Sequence, residues 1–344
     1  MSFTFKLARR TARLRAVVSG AVVLSALACN AEESTAPVAA NDPAPAAAIP
    51  AADSAALAAT PTPALLTSSS ATGIPFGDFH LPTTKFKTPY SGALLALFSS
   101  SASSTLNTAR NAGLRVVISV AGNRSNYTNS DHTFNMTKWK SRVYAWRSFP
   151  FASYVSSGTV VGHYLTDEPT CASCWGGKVI TTAQLEEMAR YSKSLWPSMA
   201  TTVRVSPTRL PQTTYRYLDF AWSQWEGPYH GTSYKLSPAQ FRDKEIAAAS
   251  ARHLGLVFGL NYINGGNGSS GILGTYTNAR AVNRWQMSAS EVKSVGGTLA
   301  AAPYACGVVS WQYDTKFLSR TGMSTAMSYV GGIAKNRSRS SCVK

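Results

Sequence analysis

Acidic side chains are scarce in this chain. Sixteen Asp plus Glu stand against 33 Lys plus Arg in 344 residues, and charged residues make up only 14% of the total. Globular chains carry nearer a quarter, so this surface must lean on Ser, Thr, Asn and Gly. Long apolar runs are missing too. Beyond the N-terminal segment nothing approaches the ~20 uninterrupted apolar residues of a membrane span, which excludes a polytopic membrane protein. There is no Gly-x-Ser-x-Gly, no P-loop and no His-x-His pair. The signatures of α/β-hydrolases, P-loop nucleotide binders and the usual barrel metallohydrolases are therefore absent, and no cofactor is expected. Nor do bases interleave with aromatics in a nucleic-acid-binding motif, so no nucleic-acid partner is expected. What is present is apolar residue in quantity, 44% hydrophobic and 10% aromatic. That excludes a wholly disordered chain and suits one large domain, expected to be a monomer.

Charge is distributed unevenly. Lys6, Arg9, Arg10, Arg13 and Arg15 precede the apolar run Ala16–Ala28 and Cys29, with no acid among them. This is the order of a secretory signal, and the run is short for a membrane anchor. Ala26-Leu27-Ala28 fits small-x-small cleavage. With Cys29 it also resembles the bacterial lipobox, although Leu stands at 27 where 26 is usual. Residues 1–29 are thus expected to direct export, with the mature protein lipid-anchored through Cys29 in the cell envelope, or extracellular. Residues 30–72 are rich in Ala, Pro, Ser and Thr and contain no aromatic residue. They read as a disordered tether. The basic excess belongs to residues 73–344, where 28 Lys plus Arg face twelve acids. Such a surface attracts polyanions, acidic glycans among them.

Cysteines agree with export. Setting Cys29 aside leaves Cys171, Cys174, Cys306 and Cys342, an even number for an oxidising compartment. Cys306–Cys342 would tie the chain end to the domain, and Cys171–Cys174 would close a small local loop. A redox centre or half a zinc site is the other reading of Cys171-Ala-Ser-Cys174.

Through residues 73–344 strand-like and helix-like runs alternate. The expected strands are 75–80, 93–98, 114–121, 159–166, 200–206, 218–225, 256–263 and 307–313. Ser237-Pro238 opens a helix with an N-cap and Pro at N1, while Ser288-Ala-Ser-Glu291 and Thr181-Thr-Ala-Gln184 are capping boxes. Strands separated by helices pair in parallel, and eight such units in this length indicate an α/β chain forming a single (β/α)₈ TIM barrel. An open doubly wound sheet is the alternative.

In such a barrel chemistry lies at the C-terminal ends of the strands. That sorts the twelve acids. Glu186, Glu187, Asp243, Glu245 and Glu291 fall on helices and read as solvated; Asp219 begins a strand, and Asp131 lies in a polar loop. Asp78, Asp167, Glu168, Glu226 and Asp314 follow strands and are the candidates for the mouth.

The fourth strand ends in Gly162-His-Tyr-Leu-Thr-Asp-Glu-Pro169. Asp167-Glu168-Pro169 resembles the Asn-Glu-Pro motif that ends strand four in the superfamily of barrel glycoside hydrolases. The stretch 74–342 also resembles secreted bacterial barrel proteins that look like glycosidases, through Pro75–Pro82, Gly162–Pro169 and Pro303-Tyr-Ala-Cys306. The resemblance implies carbohydrate hydrolysis with Glu168 as general acid, its pKa raised by burial or by Asp167 beside it. It also implies a nucleophile ending strand seven. There the chain has Gly259-Leu-Asn261-Tyr262-Ile-Asn-Gly265, with no carboxylate. The second carboxylate is therefore expected from Glu226, ahead of Asp314 and Asp78.

Rings at strand ends, Trp175, Trp222, Trp225, Tyr262, Trp311 and Tyr313, would stack on sugar faces or simply pack. Gln224, Asn261, His80 and His163 would position hydroxyls. Arg204, inside a strand-like run, would pair with Glu168 or bind an anionic substrate group if it points inward. Two other readings stay open: a metal-dependent hydrolase using Asp78, His80, His163 and Asp167, and a glycan-binding barrel without catalysis.

Overall fold

The computed structural model of the protein describes residues 73–227, 236–274 and 284–338. The expected signal, Cys29, the tether and Cys342 lie outside the described residues. Eight parallel strands close into a barrel in chain order: β1 (Phe76–Phe79), β2 (Gly92–Ala96), β3 (Arg115–Ser119), β4 (Val160–Asp167), β5 (Thr201–Arg204), β6 (Phe220–Trp225), β7 (Gly255–Leu260) and β8 (Ala305–Ser310). Closure runs through Phe76↔Val308, Gly77↔Val309 and Asp78↔Ser310. Every expected strand is present in the expected order, and the doubly wound sheet is excluded.

The strands read as apolar runs because both faces are covered; β6, β7 and β8 are buried at every position. Helices α1 (Ala102–Asn111), α2 (Met136–Tyr144), α3 (Phe151–Ser156), α4 (Thr182–Leu195), α5 (Pro238–Ser250), α6 (Ala289–Ala300), α7 (Thr315–Leu318) and α8 (Met323–Lys335) lie outside them. The boxes at Thr181 and Ser288 form as read, and Ser237 forms a third with Gln240. Each satisfies helix N–H groups that would otherwise lack a partner. Inside the barrel Phe79, Leu94, Val117, Tyr164, Phe220, Trp222, Val257 and Val309 make one apolar plug. Two larger apolar layers fill the space between strands and helices.

The β5–β6 connection carries a single 3₁₀ turn (Pro207–Arg209) where most other links carry α-helix. Its backbone groups are satisfied instead by acids expected to be solvated. The Glu186 carboxylate, on α4, accepts from the backbone N–H of Arg216 at 2.7 Å, Tyr217 at 3.0 Å and Leu218 at 3.0 Å. Glu245, on α5, is 3% exposed and accepts from Ser206 Oγ at 2.7 Å. Both are thus structural. A short link without a helix leaves amides and hydroxyls that only neighbouring helices can reach. Asp219 extends the same seam, accepting from Thr201 N at 2.8 Å and Lys193 Nζ at 2.7 Å. A disulfide joins Cys171 and Cys174. Cys306 is disulfide-bonded as well, and its expected partner is outside the described residues.

Candidate active site at the barrel mouth

In β6 strict alternation sends Phe220 and Trp222 into the barrel interior and Ala221 and Trp225 to the outer layers. Continuing that period, Gln224 and Glu226 rise toward the mouth. β4 behaves differently. Tyr164 points inward, but the register against β5 shifts between Tyr164 and Thr166. That bulge changes the phase, and Asp167 then comes into register with Arg204, which in turn pairs with Trp222.

Arg204 is the hub of the mouth. Its Nε donates to Asp167 Oδ1 at 2.5 Å, Nη2 to Asp167 Oδ2 at 2.6 Å and Nη1 to Gln224 Oε1 at 2.8 Å. The guanidinium lies 5.1 Å from the centre of the Trp311 ring and 5.9 Å from that of Trp222. Burial opposes its charge, but the Asp167 and Glu168 carboxylates outweigh burial and hold it more firmly protonated than usual. Such planar two-point pairing is specific to arginine. Replacing Arg204 by Met leaves Asp167 and Gln224 without that partner. Thermal or urea unfolding should show a loss of about 2–3 kcal/mol, with Arg204→Lys recovering only part of it. A loss below ~0.5 kcal/mol would mean that the pair is solvent-screened.

Glu168 follows at once, in the left-handed region (φ 41°). For a non-glycine residue this costs on the order of 1–2 kcal/mol and persists only where surroundings enforce it. They do so on both sides. Glu168 N–H donates to Arg204 O at 3.0 Å, and its carbonyl accepts from Cys171 N and Trp175 Nε1, each at 3.0 Å. Trp175 is fully buried, between Tyr127 and Phe134, so this anchor cannot drift. The carboxylate lies 3.7 Å from Arg204 Nη2, and its side chain keeps 38% of its exposure. Arg204 pulls the Glu168 pKa down, yet burial and the Asp167 and Glu226 carboxylates together outweigh it, and the net shift is upward. With burial only partial, the neighbouring charges matter to that balance.

Glu168, Arg204, Ser206, Arg209, Trp222, Gln224 and Glu226 line one small open cleft, about 40 Å³ in volume. Among the described residues, Trp222 Nε1, Gln224 Nε2 and Asn261 Oδ1 are buried with no hydrogen-bond partner. Buried orphan donors and acceptors of this kind are rare in folded proteins. Gly259 makes room for the indole, since a Cβ there would sit 2.7 Å from Trp222 Nε1.

Other expected site residues are elsewhere. Asp78 is 0% exposed and faces Tyr262 and Tyr90 behind the sheet, because it alternates with the inward Phe79. Neither of its oxygens has a hydrogen bond of ordinary geometry. His163, 0% exposed, also points outward. Its Nδ1 is 2.8 Å from Ser192 Oγ, its ring lies against Trp139 and Trp196, and burial holds its pKa down at about 3. Asp314 caps α7, accepting from Phe317 N at 2.7 Å. Tyr262 is fully buried and stacks on Phe317, while Trp225 packs against Phe241 in the outer layer. Tyr313 is half-buried against the outer core. His80 is exposed, with Trp311 nearby at 6.5 Å between ring centres.

The four residues of the metal reading are therefore split between the two faces of the sheet. Among the described residues, the one group with metal-like spacing is Glu168, Cys171 and Cys174, whose sulfurs are joined in the disulfide. Residues with no sequence signal also reach the mouth. Arg284, from the long β7–α6 connection, interacts electrostatically with Glu226 and Glu168, although burial lowers its own pKa. Arg124 lies 3.9 Å from Asp167 and stacks on Trp175 at 4.8 Å.

No family model matches the chain, and no curated relative does. Solved structures resemble it in fold. A provisionally assigned glycoside hydrolase from Parabacteroides distasonis is 10% identical, with TM-score 0.51 over 79% of this chain and 95% of its own. The endo-beta-1,4-mannanase from Thermotoga petrophila is 11% identical at TM-score 0.49, covering 78% of each chain. The beta-galacturonidase from Eisenbergiella tayi is 10% identical at TM-score 0.48, and this chain spans about half (52%) of its length. The chain is accordingly a (β/α)₈ barrel, a fold it shares with the Parabacteroides distasonis protein.

Proposed function

We propose that the protein is a glycoside hydrolase in which Glu168 protonates the departing glycosidic oxygen and Glu226 supplies the second carboxylate. One observation carries this reading: two carboxyl groups share a single cleft at the C-terminal mouth, and the one ending β4 is held with a raised pKa. A general acid must keep its proton near working pH, and burial with like-charge neighbours achieves that. Glu226 would attack the anomeric carbon or take a proton from water, according to its separation from Glu168. Trp222 and Gln224 line the cleft and would border a bound sugar, and the Trp311 ring would lie against a sugar face. Arg204 pairs with Asp167 beside Glu168 and so holds the acid in place. Export, a lipid anchor on Cys29 and action as a monomer on an external glycan belong to the same reading.

The lack of a carboxylate in Gly259–Gly265, where the resembled superfamily's nucleophile ends strand seven, supports a second reading, a barrel that binds glycans without cleaving them. One experiment separates the two. The purified protein is incubated with a panel of neutral and uronate-containing polysaccharides, and products are resolved by chromatography. New reducing ends that disappear in the Glu168→Gln variant, with binding retained, support hydrolysis. Binding without products in either form supports the second reading, and equal products from both forms overturn the role of Glu168.

A further inference from the structure

The segment after Glu168 does more than end a strand. Cys171 lines the cleft, and its backbone N–H holds the Glu168 carbonyl at 3.0 Å. Cys174 Sγ stands 3.6 Å from Glu168 Oε2. The Cys174 carbonyl accepts from Arg124 Nη1 at 3.4 Å, and Arg124 also reaches Asp167. The disulfide thus closes a four-residue turn whose two ends touch the backbone and the carboxylate of the same strained glutamate. Both cysteines are partly exposed, whereas Cys306 is 0% exposed. We propose that Cys171–Cys174 is a redox-sensitive clip that positions Glu168, so that the oxidised form is the competent one and reduction by a dithiol releases the acid. The proposal rests on the reading of Glu168 as general acid.

The chemistry is ordinary thiol–disulfide exchange. A thiolate of an external dithiol attacks Cys171 Sγ, the S–S bond breaks, and Cys174 leaves as thiolate and takes a proton. The second thiol of the reductant then attacks the mixed disulfide, its proton passing to the released Cys171 thiolate. Two electrons enter the protein, and the reductant leaves as a disulfide. Two consequences follow for Glu168. The turn that holds φ at 41° loses its cross-link. Cys174 also changes from a sulfur that cannot donate into an S–H that can, 3.6 Å from Oε2. A donor to the carboxylate favours its ionised form, so the acid would hold its proton less well.

The test compares oxidised protein, protein treated with dithiothreitol, and the Cys171→Ala/Cys174→Ala variant, all full-length, on a glycan that the wild type cleaves. Treated protein and variant should both lose about 10-fold in kcat, with KM within twofold, as expected of a displaced catalytic group. The alkaline limb of the pH profile should move down in the treated wild type. Treating the variant should change nothing further, which excludes an effect through Cys306. Wild-type kcat and pH profile in the variant would overturn the clip, even with a lowered melting temperature, because the bond would then be merely structural. If the variant does not fold, treated wild type with unchanged near-UV circular dichroism serves, and undiminished kcat there overturns the clip equally. Failure of the underlying reading is separate: it would show as full activity in Glu168→Gln.

Discussion

Replacing Glu168 by Gln should lower kcat about 10²- to 10⁴-fold on natural glycosides, the range that general acid catalysis supplies. The amide matches the carboxyl in shape, accepts from the same neighbours and cannot release a proton. Binding should therefore survive, and the loss should fall on kcat, as for an interaction made in the transition state. Leaving-group dependence makes the assignment specific. An alkoxide leaving group needs protonation, whereas a nitrophenolate departs without it, so aryl glycosides should be cleaved with a much smaller deficit. The pH profile gives a second check. In the wild type the alkaline limb of kcat/KM should report deprotonation of Glu168, displaced above the ordinary carboxylate range by burial and the Asp167 and Glu226 charges against the opposing pull of Arg204. Gln has no such ionisation, and that limb should vanish. Equal deficits on aryl and natural glycosides would argue that Glu168 acts as something other than the proton donor.

The Asp78→Asn variant should be more stable than wild type above neutral pH and indistinguishable below about pH 4. Burial pushes the Asp78 carboxyl up from 3.8 to about 7. An acid with a raised folded pKa binds its proton more tightly when folded. Wild-type stability should therefore fall as pH rises from about 4 through 7 and level off beyond, since the folded barrel must then hold a buried charge that the Tyr262 and Tyr90 side chains offset only in part. A shift of this size corresponds to at most ~4 kcal/mol at pH 8. Asn presents the same shape without the charge and removes that penalty. His163, with its pKa depressed to about 3, adds the opposite trend at acid pH, losing stability as pH falls below ~6.5. Both proteins share it, so it cancels in their difference. Urea unfolding at pH 4 and pH 8 decides the matter, and an equal difference at the two pH values would refute an ionisation origin.

Element order and several helix starts were legible because they rest on local rules. Thr181, Ser237 and Ser288 cap as such residues do, and two-sided burial makes the strands continuous apolar runs. That Glu168 and Glu226 reach the mouth was legible from their places at strand ends, Glu168 before Pro169 and Glu226 just past the sixth expected strand. What sequence could not supply was facing. Whether Asp78 or Phe79 enters the barrel is one bit of information, set by packing around the whole sheet, and it decides whether Asp78 meets solvent or tyrosines. In β4 the bulge reverses the phase midway, so that Tyr164 and Asp167, three residues apart, both turn toward the barrel interior and mouth while His163 turns away. Arg284 lay beyond any local rule, because long-range chain return brings it to the mouth. Glu186 and Glu245 were misread for a related reason: helix position indicates solvent only when no neighbouring loop lacks partners.

The seam on α4 has a consequence for breathing motions. Glu186 gathers three consecutive amides ahead of β6, and Lys193 meets Asp219 at the start of that strand, which also holds the first amide of β5. Opening β5, β6 or α4 alone would break contacts in the other two, so the three should exchange their amide hydrogens as one cooperative unit. Arg204, Gln224 and Glu226 ride at the far end of that unit. The cleft wall they form is thus fastened at the end of the barrel remote from the substrate, and its rigidity does not depend on anything being bound.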